Sequence, residues 1–252
     1  MSDPAASFDS VAAEYDAARP SYPIESVNWL VGDDAEIVVD VGAGTGKFTR
    51  LLERPGRRVI AVEPSASMLA ELQRALPHVE AMAGSGERMP LPPASVDVVT
   101  FAQAWHWVDA DAASAEAARV LRPGGRLGLV WNLRDERSPW VRDLGAAMRA
   151  DGDHFRGEVE DPAMGDAFEA VERHFAEWVR RTTKDEIVAD VRSRSYFPLL
   201  SPDERAHVVR AVADVLERPG VSDRDGIVEV PYVTASFRYT SRRRADPTEE
   251  SE

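Results

Sequence analysis

The chain contains no cysteine. Disulfides, cysteine nucleophiles and thiolate metal sites are therefore excluded, and the composition fits a reducing cytoplasm. Long apolar runs are missing as well; nothing approaches the roughly 20 consecutive apolar residues of a membrane span. The opening MSDPAASFDS has neither a basic start nor an apolar stretch, so no secretory signal is expected and a cytoplasmic location is. Positive charge is scarce: 30 Lys and Arg stand against 44 Asp and Glu, a formal net charge of −14. Such a surface repels phosphate backbones and anionic lipid heads, so neither nucleic acid nor a membrane is expected as partner. The basic clusters, RSRS at 192–195 and SRRR at 241–244, are short and read as solvated faces. Histidine is sparse and forms no H-E-x-x-H pattern, so no metal site is expected.

What is present is the alternation of an α/β protein. The 252 residues suffice for one sizeable core. Apolar, β-rich runs at 36–42, 57–63, 79–84, 96–102 and 125–132 read as strands buried on both faces. Helical spacing fills the intervals, in KFTRLLER, SASMLAELQRAL and DAASAEAARVL. The pattern predicts an open, mostly parallel sheet with helices on both faces. RPGG at 122–125 is expected to end one helix and lead into the fifth strand. Two helical candidates, around 7–16 and 24–31, precede the first strand. Later, 138–150, 185–195 and 202–217 look helical, while FAEWVRRTT and YVTASFRYT alternate like a late antiparallel pair. The expected organisation is a single domain over 1–240, with a helical leader (1–32), a ligand-binding core (33–135), a helical cap (136–220) partly covering the site, and a last strand (221–240). The charged stretch 241–252 is expected to be a disordered tail.

The first strand runs into VDVGAGTGKFT, which places Gly42, Gly44 and Gly46 at the carboxyl end of a strand, where open α/β sheets bind ligands. Glycines let a ligand press against the main chain, and amides at a following helix start can meet a polar group. A phosphate P-loop needs glycine where Val41 stands and Ser or Thr where Phe48 stands, so that reading fails. A dinucleotide fingerprint is weakened by Lys47 at its last glycine position, which leaves an NAD-dependent dehydrogenase as a rival reading. Glu63 closes the second strand and can accept two hydrogen bonds from a ribose diol.

These residues, with AVEPSASML, GSGERMPLPPASVDVVTFAQAWHWVD and EAARVLRPGGRLGLVWN, resemble the motifs of class I S-adenosylmethionine-dependent methyltransferases. The HW pair and the closing VPYVTASFRY are similar to the subgroup of trans-aconitate methyltransferase-like, small-molecule enzymes. The resemblance implies a seven-stranded Rossmann-like sheet with an antiparallel last strand, and S-adenosylmethionine as cofactor. It implies that Gly42, Ala43, Gly44, Thr45 and Gly46 pass along the methionine part, with Asp40 near its amino group. Glu63 would take the ribose hydroxyls, with Ser65 and Met68 beside ribose and adenine. Ser85, where relatives commonly carry an acid, would meet adenine together with Gly86 and Glu87. Gln103 would touch the methionine end, and Tyr15 and Arg19 would close over the cofactor, Arg19 pairing with its carboxylate.

Past the fourth strand, AWHWVD brings His106 between two tryptophans. His106 reads as a general base for a hydroxyl, a donor to a carboxylate, or a structural residue. Trp105 and Trp107 read as rings stacked near a sulfonium or as core. Asn132 and Arg134 could hold an anionic substrate, with a surface ion pair from Arg134 to Asp135 or Glu136 as the competing reading; Tyr196 could reach the pocket. The function expected is methyl transfer to a small molecule, at oxygen of a carboxylate or hydroxyl. A non-catalytic S-adenosylmethionine-binding or protein-interaction module is the alternative. Oligomeric state leaves no trace in the sequence.

Overall fold

The computed structural model describes residues 19–149, 154–169, 171–194 and 196–242. The helical candidate at 7–16 lies outside them, as does Tyr15. The apolar runs form the central strands: β1 (Ile37–Val41), β2 (Arg58–Glu63), β3 (Glu80–Ala83) and β4 (Val96–Ala102). They are joined by β5 (Leu121–Asp135), β6 (His154–Phe155), β7 (Glu172–Thr183) and β8 (Ile227–Thr240). The helices are α1 (Ile24–Val31), α2 (Thr49–Leu52), α3 (Ala66–Ala75), α4 (Ala110–Val120), α5 (Pro139–Ala147), α6 (Lys184–Arg192) and α7 (Pro202–Leu216).

The strand order is β3-β2-β1-β4-β5-β8-β7, with β6 paired to β5 off this path. The sheet is mostly parallel, with β7 and β8 antiparallel, and helices flank it: a Rossmann-like fold. β1 lies between β2 and β4 in parallel register, Val39 opposite Ile60 on one side and Val99 on the other. Strand order reverses around β1, so the loop after it opens at the switch point of the sheet. β6 is a two-residue addition to the seven strands expected, too short to leave a periodicity in the sequence.

Three local outcomes differ from the sequence pattern. The helix expected over KFTRLLER shortens to α2, Thr49–Leu52, because Pro55 disfavours helical backbone just before it and the glycine loop holds turns through Phe48. RPGG does not precede β5 but lies inside it. The strand starts directly after α4, and its register against β4 shifts between Val96 and Val98, absorbing the proline and glycines as an irregularity. At the expected tail, Ser241 still donates its amide to Gly125 O at 2.9 Å and Arg242 bonds to Phe168 O; 243–252 lie outside the described residues.

The chain divides into two compact units. The larger comprises Tyr22–Trp131, Glu160–Phe175 and Ala235–Glu252; the smaller comprises Met1–Ser21, Asn132–Val159 and Ala176–Thr234. In the larger unit, α1 lays Val27, Leu30 and Val31 against Val38, Phe48 and Leu52. A second cluster packs Leu72 and Leu76 against Ala61 and Val79. Ser65 caps α3, and Asp109 caps α4 by accepting the Ala112 amide at 2.9 Å. In the smaller unit, the core joins Leu144 and Met148 to Ile187, Val191, Val208 and Val212. Both α6 and α7 begin with capping boxes, Thr183 with Glu186 and Ser201 with Glu204. Among the described residues no helix is long and apolar enough to cross a membrane.

Gly128 on β5 shows how closely α1 approaches the sheet: a Cβ there would meet Leu30 Cγ at 2.6 Å. Gly128→Ala is expected to lower stability by about 1–3 kcal/mol in urea unfolding. Combined with Leu30→Ala, the loss should fall short of the sum of the two single losses, because the truncated leucine makes room for the methyl group. Simple additivity would show that the two positions do not press on each other.

Candidate active site

The three alternate glycines have different reasons. Gly42 donates to Val62 O at 2.8 Å, and a Cβ on it would stand 2.7 Å from Ala104 Cβ. A Cβ on Gly46 would stand 2.9 Å from Leu76 Cδ1. These two are set by the protein's own packing. Gly44, at φ 57°, has nothing within 4 Å of where its Cβ would be. The middle glycine thus borders open space, the side on which a ligand can lie against the backbone. Ala43 and Thr45 are buried.

Glu63 is 4% exposed at the end of β2. Its Oε2 accepts the Gly44 amide at 2.8 Å and its Oε1 accepts the Ser65 amide at 2.8 Å. A carboxylate offers about four acceptor positions, so one on each oxygen remains. That is the count a pair of vicinal hydroxyls needs.

Asp40 is completely buried. Its Oδ2 accepts the Thr49 hydroxyl at 2.6 Å and its Oδ1 the Thr100 hydroxyl at 3.3 Å. Burial dominates its ionisation. It pushes the carboxyl up to about 7, against the two hydroxyl hydrogen bonds, and the nearby Glu63 charge adds to the rise. Both threonines escape recognition in the sequence, since neither sits at a position that a glycine motif marks.

Ser65 is the cap of α3, with Met68 N 3.5 Å from its Oγ; Met68 itself is exposed. Ser85 and Arg88 pair as a small bridge. Gly86 lies tight between Phe101 and Val108, where a Cβ would meet each at 2.9 Å. Burial alone would raise the Glu87 carboxyl. Hydrogen bonds from the Ser85 hydroxyl and from the Glu87 and Asp109 amides outweigh that and hold it below its ordinary value. Gln103, directly after β4, has φ 55°, a left-handed backbone, and donates its amide to Val130 O at 2.9 Å.

The AWHWVD segment forms a 3₁₀ turn over Trp105–Trp107. The two rings part company. Trp105 is buried, edge-on to Phe101, with its indole N–H donated to Ala163 O at 3.2 Å. These contacts are the core packing that is one of the two readings for it. Trp107 is 74% exposed, with the exposed His106 ring 4.9 Å from its own.

Asn132, Arg134, Tyr196 and Arg19 belong to the smaller unit. Asn132 is buried, donating to Ser21 O at 3.1 Å and accepting the Thr234 hydroxyl at 2.6 Å. The Tyr196 hydroxyl donates to Met148 O, and burial raises its ionisation above the usual tyrosine value. Arg19 stands 3.7 Å from Asp190 as an ion pair. The surface ion pair considered for Arg134 is absent: Asp135 pairs with Arg137, Glu136 with Arg156, and Arg134 is buried. The RSRS cluster also departs from the solvated face expected, because Arg194 is buried and pairs with Asp190 at 3.6 Å.

A family profile described as "Methyltransferase domain" matches residues 39–129, which include the glycine loop and Glu63. An uncharacterized methyltransferase of Mycobacterium tuberculosis is 45% identical over 239 residues, spanning 94% of this chain and 97% of its own length. The chain belongs to the class I S-adenosylmethionine-dependent methyltransferases. An uncharacterized methyltransferase-like protein of Schizosaccharomyces pombe is 34% identical, over 91% of this methyltransferase and 93% of its own chain. Among solved structures, an Anaeromyxobacter dehalogenans chain assigned as a type II methyltransferase superposes with a TM-score of 0.58 at 27% identity, covering 87% of this chain and 97% of that one. The YcgJ protein of Bacillus subtilis shares the fold, with a TM-score of 0.52 at 20% identity over 82% of this chain and 92% of its own.

The dehydrogenase reading is thereby set aside, and the cofactor is S-adenosylmethionine. The methyltransferase's own geometry fits that group. Open space lies over Gly44, and Glu63 keeps one acceptor position on each oxygen beside the amide it already holds.

The Asp40 shift makes a pH prediction. A carboxyl with a raised folded value contributes stability that is full below the unfolded value of 3.8 and is lost as pH rises through about 7. Unfolding of the wild type and of Asp40→Asn should therefore be compared across that window. The wild type is expected to lose stability relative to the amide variant as pH rises, and then to run parallel to it. A constant difference would mean that Asp40 does not change charge there.

Proposed function

We propose that this methyltransferase acts at an oxygen of a small molecule, as in the trans-aconitate methyltransferase-like subgroup. The observation that carries the reading is the exposed His106 imidazole, held on the 3₁₀ turn after β4 in the same unit as the glycine loop and Glu63. A hydroxyl acceptor must lose a proton and a carboxylate acceptor must be oriented; an imidazole nitrogen can take the proton in the first case and donate a hydrogen bond in the second. The acidic surface, with its net charge of −14, disfavours a nucleic-acid acceptor.

When bound, S-adenosylmethionine supplies a methyl group already activated on positive sulfur. The chain then has to bind, orient and exclude water. Glu63 would hold the ribose hydroxyls with its remaining acceptor positions, while Gly42, Ala43, Gly44, Thr45 and Gly46 would line the methionine part. Ser65 and Met68 would flank ribose and adenine, Ser85, Gly86 and Glu87 would border the adenine edge, and Gln103 the methionine end. Asp40, with both oxygens taken by threonine hydroxyls, supports the loop from behind. Trp107 offers an exposed aromatic face beside His106.

Calorimetry with S-adenosylhomocysteine tests the cofactor assignment: Glu63→Ala should weaken binding by roughly tenfold or more, as for lost charge-assisted hydrogen bonds. Unchanged affinity would remove Glu63 from the site. Formation of S-adenosylhomocysteine with panels of acids and alcohols tests the acceptor. His106→Ala should slow that turnover by about 10²–10⁴-fold and leave S-adenosylhomocysteine affinity intact. Undiminished turnover would return His106 to a structural role. Turnover confined to amines or carbon acids would overturn the oxygen assignment.

A further inference from the structure

The smaller unit holds a buried cation with unused donors. Arg134, near the end of β5, is 2% exposed. Its Nε and Nη2 are shielded from solvent and have no hydrogen-bond partner among the described residues. Leaving a guanidinium buried and unanswered is costly, and a side chain of this length does not usually accept that position without a counter-charge. The two unanswered donors are not an arbitrary pair. Nε–H and Nη2–H leave the same edge of the planar group in parallel, the fork that meets both oxygens of a carboxylate or phosphate.

The acids next to it in the chain are committed elsewhere. Both Asp135 oxygens accept Arg137 Nε, at 2.8 and 3.1 Å. Glu136 accepts Arg156 Nε at 2.9 Å. Asp190 stands 3.7 Å from Arg19 and 3.6 Å from Arg194 as an ion pair with each, and its buried Oδ1 accepts no hydrogen bond among the described residues. The charges bearing on the Tyr196 hydroxyl are Arg194, Arg149 and Arg134, against the single acid Asp190. That hydroxyl is directed to Met148 O. Positive charge is thus in excess around a fork whose donors are empty, in a chain whose total charge is strongly negative.

We propose that Arg134 anchors an oxyanion site in the smaller unit, one that takes a carboxylate or phosphate group. Chemistry shared by the two groups, a planar or tetrahedral cluster of anionic oxygens, is what the fork recognises.

The test uses the full chain and two variants, Arg134→Met and Arg134→Lys. Inorganic phosphate and citrate serve as probes in thermal unfolding, with chloride at matched ionic strength as control. Each probe, or one of them, should raise the wild-type midpoint. Arg134→Met should be at least as stable as wild type without the probe, since an apolar chain of similar length replaces an unpaired buried charge. Its response should shrink to the general stabilisation that such excluded anions give any folded chain. Arg134→Lys, a point charge without the fork, should respond more weakly than wild type. A wild type indifferent to both probes, or a methionine variant that is destabilised yet responds as before, would overturn the anchoring role. Which probe protects tells carboxylate from phosphate.

Discussion

One carboxylate ties the ligand loop to the sheet. Glu63 accepts the amide of Gly44 through one oxygen and that of Ser65 through the other. The first bond fixes the middle of the glycine loop; the second fixes the entry to α3. A buried anion is tolerable here because two amides answer it. The loop's left-handed turns and the helix start are therefore positioned by the same residue that offers acceptor positions for a diol. The support of the loop and the acceptor positions still open thus belong to one side chain.

Buried charge is handled in opposite ways in the two units. Asp40 in the larger unit is closed off: two threonine hydroxyls answer its oxygens, and burial raises its proton affinity to the neutral range. Nothing further is needed to complete it. Arg134 in the smaller unit is the reverse case, a cation two of whose donors have no acceptor among the described residues. The first is an internal brace. The second leaves two parallel donors open on one edge of the guanidinium.

Much of the larger unit could be read from residue order alone. Strands buried on both faces appear as unbroken apolar runs, which is why β4 coincides with the predicted 96–102. The glycine loop and Glu63 stand out because alternating glycines after one strand and an acid closing the next form a recognisable pattern. Other features depend on contacts that residue order does not encode. Arg192, Ser193 and Arg194 have the composition of a solvated face, yet α6 packs Ile187 and Val191 into a core and carries Arg194 inward with them. Trp105 and Trp107 are two positions apart and chemically identical; the turn between them sends one into the core and one outward. The RPGG stretch, a strong breaker by itself, is carried inside β5 because the neighbouring strand supplies pairing on both sides of it. Thr49 and Thr100 became site residues only when folding set their hydroxyls on Asp40.

Gln103 follows β4 in a backbone conformation that glycine adopts without strain and that other residues enter at a cost of about 1–2 kcal/mol. The polypeptide bears that cost one residue before Ala104, whose methyl group lies under Gly42. The twist at 103 thus immediately precedes the floor beneath the loop, and joins a torsion just past one strand to a turn far away in the chain and adjacent in space.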